Sequence, residues 1–84
     1  MVLEETTMVD VFRVPMDVTY ALAGGEPALM AYRRWRNISR DDLAAKSGIA
    51  KEDIEAIEDG NKDIEEEMLE SLSTVLNVPQ DQLI

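Results

Sequence analysis

Apolar side chains recur at helical spacing along most of the chain, in short runs separated by glycine, asparagine and proline. The clearest run is the last, in which a stripe of apolar residues faces a row of glutamates, as in an amphipathic helix. Turn residues mark the ends of the other runs, as glycine and asparagine can adopt left-handed backbone conformations. The pattern predicts five or six short helices, over about residues 15–23, 27–36, 39–47, 51–59, 64–76 and a final turn at 79–83.

Several residues have specific predicted places in these helices. Ser39 begins a sequence that resembles a capping box, with Asp42 in place of the usual glutamate. Asp63 is expected to cap the longest helix. Leu83 and Ile84 are expected to close the bottom of the core. The buried face of the longest helix is predicted to contain Met68, Leu69, Leu72, Val75 and Leu76.

The N-terminal residues lack the helical spacing of the rest of the chain. Residues 7–14 alternate imperfectly and are rich in β-branched types, which indicates a short strand or an extended arm. We therefore divide the chain into an N-terminal arm, residues 1–14, and a helical domain, residues 15–84. Because an isolated strand is not stable alone, Val9, Val11 and Phe12 are expected to bind a partner, across a homodimer or at a strand edge.

Length and composition exclude several classes of protein. A chain of 84 residues has room for one core. Without cysteine or histidine, it cannot form disulfides, thiolate zinc sites or a Ser-His-Asp triad, so we expect no enzyme activity, cofactor or metal. No apolar run approaches the ~18 residues of a membrane span, and the N-terminus lacks the basic region of a signal peptide. We expect a cytoplasmic protein.

Charge is distributed unevenly. The chain has 18 acidic and 8 basic residues, for a net charge of -10. Residues 27–48 are net positive, whereas residues 49–84 contain only two lysines among many acids. Such an acidic chain would ordinarily not bind nucleic acid.

The two predicted helices on either side of Gly48 carry a family resemblance. Residues 43–49 read Leu-Ala-Ala-Lys-Ser-Gly-Ile, followed by Ile54, Ile57, Glu58 and Gly60. This pattern resembles the Cro/cI-type (XRE) helix-turn-helix family. The resemblance implies an all-α, compact five-helix domain of the Cro/cI-repressor type, with a short N-terminal arm or strand. It also implies an ion pair between Arg33 and Glu58.

The resemblance further implies a DNA interface on the helix after Gly48. Family members read bases from the first two turns of that helix and contact phosphates from neighbouring helix ends. The phosphate contacts implied here are Arg40, Lys51, Asn61 and Lys62, and the base-facing positions are Glu52, Asp53, Glu55 and Ala56. Three of the four base-facing residues are acidic, where the family usually has polar or basic residues. Carboxylates can accept from cytosine but are repelled by phosphates.

A second resemblance concerns residues 14–33. The run from Val14-Pro15 through Gly24-Gly25-Glu26-Pro27 to Tyr32-Arg33 is similar to a branch rich in antitoxins, which are encoded beside small basic toxins. Three hypotheses remain open. In the first, the chain is a dimeric regulator that binds operator DNA, one version of which is an antitoxin that represses its own operon. In the second, it is a protein-binding module that has lost DNA binding and uses acids such as Asp53 against a basic partner. In the third, it is an acidic mimic of DNA.

Overall fold

The structure, a computed structural model, describes residues 13–84. Over this range all regular structure is helical, as predicted. The helices are α1 (Met16–Ala23), α2 (Ala28–Trp35), α3 (Arg40–Ser47), α4 (Lys51–Glu58) and α5 (Glu66–Leu76), followed by a 3-10 turn (Gln80–Gln82). The predictions for Val9, Val11 and Phe12 lie outside the described residues.

The turn between α3 and α4 requires a residue that tolerates positive φ. Gly48 ends α3 with φ 75°, a left-handed conformation in which a side chain would be strained. At the other end of α3, the Ser39 hydroxyl accepts a hydrogen bond of 3.0 Å from the Asp42 backbone N–H. These two residues mark the two ends of α3, which is eight residues long.

Two details of the C-terminal half differ from the sequence prediction. α5 begins at Glu66 rather than Ile64, and Glu65, not Asp63, occupies the cap position. Ile64 is partly buried against the core, so the chain stays extended until Glu65 before it turns into the helix. Leu83 is buried, as expected, but Ile84 is 79% exposed, so the prediction that it closes the core was wrong.

The core forms where α2, α3, α4 and α5 meet. α3 packs against both α4 and α5, and α1 packs mainly against α2. Burial raises the pKa of the Tyr32 hydroxyl, with a further contribution from Asp81, and this hydroxyl donates to Gln82 at 2.9 Å. The buried apolar side chains are Val18, Leu29, Ala31, Tyr32, Leu43, Ile49, Ile54, Ile57, Leu69, Leu72, Leu76, Val78 and Leu83.

Among residues 13–84, one charged side chain is buried with this core. The Glu58 side chain is fully shielded from solvent, and its two carboxylate oxygens accept three hydrogen bonds. Arg33 donates at 2.7 and 3.1 Å from α2, and Arg40 donates at 2.9 Å from α3. Arg33 also donates to the Ile38 carbonyl at 2.9 Å, in the α2–α3 turn. Glu58 therefore links three helices at once.

We predict that Glu58→Ala strongly destabilises the domain. The substitution leaves two guanidinium groups without their carboxylate, and breaking a buried ion pair costs about 3–5 kcal/mol. Thermal unfolding followed by circular dichroism measures this loss. Glu67→Ala is the control, because Glu67 is an exposed residue of α5 and its removal should change the free energy of unfolding by less than about 0.5 kcal/mol. Equal melting temperatures for the two variants would contradict the prediction.

Candidate nucleic-acid interface

α4 presents a mainly acidic surface. Ile54 and Ile57 are buried and fix the orientation of the helix. Lys51 and Glu52 are exposed on its first turn. The base-facing positions implied by the resemblance therefore lie at or near the surface, with Asp53, Glu55 and Ala56 partly exposed.

The acids of the first turn also have a local structural role. Ala50 occupies the cap position of α4 and has no side-chain group that could accept from the free N–H groups of the first turn. Glu52 and Asp53 lie near this positive end of the helix, where carboxylates are favourable. Their presence on α4 is therefore compatible with helix stabilisation as well as with ligand binding.

Arg40 lies between the interior and the surface. Its side chain is 34% exposed, and its Nε donates to Glu58. The hydrogen bond to Glu58 and the charge of this carboxylate raise the already high pKa of Arg40. A phosphate at this position would have to share the guanidinium with a buried carboxylate.

Lys51, the first residue of α4, forms an ion pair with Asp41 in the first turn of α3. Its Nζ lies 2.9 Å from Asp41 Oδ1, and this hydrogen bond raises the pKa of Lys51. Both side chains are largely exposed. Arg40 and Asp41 are adjacent on the first turn of α3, so consecutive residues of α3 hold the two ends of α4.

The loop after α4 provides the remaining implied phosphate contacts. Asn61 is exposed, and its N–H is bonded to the Ala56 carbonyl at 2.8 Å. Lys62 lies 3.7 Å from Glu65, in a weak exposed pair. These side chains lie in the loop that follows the helix, the place that the resemblance implies for contacts to the DNA backbone.

Sequence reasoning missed the role of Arg36. Its guanidinium donates to the carbonyls of Leu76 and Asn77 at 2.7 and 3.0 Å, and so satisfies the C-terminal end of α5. The same group lies 4.1 Å from the centre of the Trp35 ring, in a cation-π contact. The sequence around Trp35 gives no sign that Arg36 reaches α5.

Other kinds of site find no support in residues 13–84. No group of acidic side chains in this range has an arrangement that could hold a metal ion. None of the helices described here combines the length and apolar character that crossing a membrane requires.

A family model described as helix-turn-helix matches residues 29–83, about two-thirds of the chain. Comparison with curated proteins and with solved structures found no match. The matched range contains α2 except for its first residue, all of α3 to α5, and therefore the whole surface described above. The chain belongs to the helix-turn-helix family of the Cro/cI (XRE) type, which is a DNA-binding regulatory family and not an enzyme family.

We predict that Asp41→Asn lowers the pKa of Lys51 towards its ordinary value, because the substitution removes the charge that stabilises the ammonium. The melting temperature should change little, since exposed pairs contribute little to stability. Asp42→Asn is the matched control, as Asp42 is also exposed on the first turn of α3 and has no part in the Lys51 shift. An NMR titration of the Lys51 side chain measures the pKa, and equal changes in both variants would rule out the specific pair.

Proposed function

We propose that this member of the helix-turn-helix family is a small cytoplasmic transcription regulator that binds operator DNA weakly, as a homodimer, and also binds a basic protein, in the manner of an antitoxin. DNA would lie against α4, with Arg40, Lys51, Asn61 and Lys62 towards phosphates. Glu52, Glu55 and Ala56 would face base edges. Asp53 would contribute to protein binding.

The observation that carries this proposal is the balance of charge around α4. Glu52, Asp53 and Glu55 have no cationic partner within ion-pair distance among the residues that the structure describes. The cations nearest to them already have partners, since Arg40 is bonded to Glu58 and Lys51 to Asp41. Few positive charges are then left to neutralise phosphates, so DNA binding should be weak.

The protein-binding part of the proposal rests on the same charges. A row of exposed carboxylates attracts a positively charged protein and accelerates its association. The resemblance of residues 14–33 to antitoxin sequences supports a basic toxin as that protein. The product of a neighbouring gene is the natural candidate to test.

We predict that replacing Glu52, Asp53 and Glu55 together by Gln, Ser and Thr increases affinity for the upstream DNA of the gene. The change removes three negative charges that would lie close to phosphates. Fluorescence anisotropy at several salt concentrations measures both affinity and salt dependence. The unaltered protein should show a shallow slope, because log K falls by only about 0.9 per neutralised phosphate for each unit of log salt.

The control is the triple variant Glu66→Gln, Glu67→Gln and Glu70→Gln, which changes the net charge equally but on the exposed face of α5. If the acids of α4 themselves weaken DNA binding, the α4 variant should gain more affinity for the upstream DNA than the α5 variant does. Tight operator binding by the unaltered protein, lost in the α4 variant, would instead mean that the carboxylates accept from cytosines. That result would support an ordinary operator-binding regulator.

The second candidate function is a protein-binding module or DNA mimic that does not bind DNA. The pairing of Arg40 and Lys51 with acids of the same domain favours this candidate, because it leaves α4 and its surroundings net negative. No binding to the upstream DNA at low salt, together with tight binding to a basic protein, would establish it over the first.

We predict that a basic partner associates rapidly at low salt and that its association rate constant falls steeply as salt increases. Long-range attraction between opposite charges is screened by salt, with a Debye length of about 10 Å at 0.1 M. Stopped-flow kinetics with the neighbouring gene product measures the rate. The α4 triple variant should associate more slowly than the α5 triple variant, and equal rates would exclude α4 as the binding surface.

A further inference from the structure

The helix α1 is apolar on two opposite sides. Val18 is buried, and with the partly buried Ala21 it packs the inner side of α1 onto the rest of the domain. The outer side is a stripe at i, i+3, i+4 and i+7 spacing, here named the α1 stripe, which comprises Met16, Thr19, Tyr20 and Ala23. A surface helix normally has one apolar side and one charged side.

Within residues 13–84, the α1 stripe has the two most exposed large apolar side chains of any helix. Met16 is 66% and Tyr20 is 70% exposed, and they lie one turn apart. Thr19 does not interrupt the stripe with an unpaired donor, since its hydroxyl donates to the Pro15 carbonyl at 3.2 Å. Exposed apolar side chains that are contiguous in this way mark interaction surfaces.

The lack of charge on the α1 stripe indicates which kind of partner can bind it. Asp17 is the only charged residue of α1, in a chain with a net charge of -10. A basic protein would be attracted to acidic surfaces such as α4 and would gain little from an uncharged stripe. A second copy of the chain is repelled by acidic surfaces and can approach closely only where charge is scarce, as it is here.

We propose that the α1 stripe is the contact surface of a homodimer, in which the stripes of two chains pack against each other around a two-fold axis. The same patch on both chains satisfies this symmetry, which pairs Met16 of one chain with residues near Tyr20 of the other. The inference rests on the dimeric regulator proposed above and specifies its interface. α1 is joined to the domain mainly through α2, so this contact does not require rearrangement of α3 and α4.

The small size of the α1 stripe limits the expected affinity of the homodimer. A helix of eight residues is about 12 Å long, so the paired stripes bury less than the roughly 800 Å² per partner of a standard interface. We therefore expect a concentration-dependent dimer with a dissociation constant on the order of 1–100 μM. Salt should strengthen this dimer, because it screens the repulsion between two acidic chains. A basic partner would show the opposite salt response.

Sedimentation equilibrium over a range of protein and salt concentrations tests the proposal. The double variant Met16→Gln and Tyr20→Gln keeps good helix formers on α1 but removes the two large apolar side chains of the α1 stripe. It should raise the dissociation constant at least about tenfold. Ile84→Gln is the matched control, since Ile84 is even more exposed but lies outside α1, and it should leave the dimer unchanged. Far-UV circular dichroism verifies that each variant is folded.

Three results would overturn the proposal, and they differ in what else they affect. A dimer that persists unchanged in the double variant would exclude the α1 stripe but leave a dimeric regulator intact. An unaltered protein that is monomeric at all concentrations would remove both the interface and the dimer. It would mean that a different protein, or another part of the same chain, covers the stripe. Weakening of the dimer by salt would also contradict an uncharged contact.

Discussion

The buried carboxylate of Glu58 is the interaction on which the arrangement of the helices depends. It accepts hydrogen bonds from Arg33 of α2 and Arg40 of α3 while lying at the end of α4. Arg33 also holds the Ile38 carbonyl and thus the turn that leads into α3. The hydrophobic effect is non-directional, whereas a buried charge needs hydrogen-bond partners at fixed positions. The ion cluster therefore fixes the orientation of α4 within a core of small size.

This use of arginine inside the domain has a consequence for its surface. Arg33 and Arg36 direct their guanidinium groups to a carboxylate and to helix-end carbonyls, and Arg40 is shared between the interior and the solvent. Part of the positive charge of residues 27–48 is therefore paired within the domain, where it stabilises the fold. What remains exposed on α4 is mainly acidic, so the sign of this surface differs from the sign suggested by a count of arginines in the middle of the chain.

The sequence was sufficient to predict the helices, since Asn37, Gly48 and Asn77 occupy the left-handed positions that end them. The pairing of Arg33 with Glu58 came from family resemblance, and the structure contains that contact. Three contacts were not predicted from the sequence. They are the hydrogen bond from Arg40 to Glu58, the contact of Arg36 with α5 and the Asp41–Lys51 pair. These contacts depend on how far long side chains reach between helices that are distant in sequence, and apolar periodicity contains no information on that reach.

Within α4, the residues that maintain the fold are separate from those on its outer face. Ile54, Ile57 and Glu58 point inwards and are buried, whereas the outer positions, including Glu52, contribute little to the core. The outer side chains can therefore differ in charge while the helix keeps its place. This separation explains how membership of a DNA-binding family and an acidic α4 occur in one chain. The scaffold depends on the buried side chains and leaves the charge of the exposed positions of α4 unconstrained.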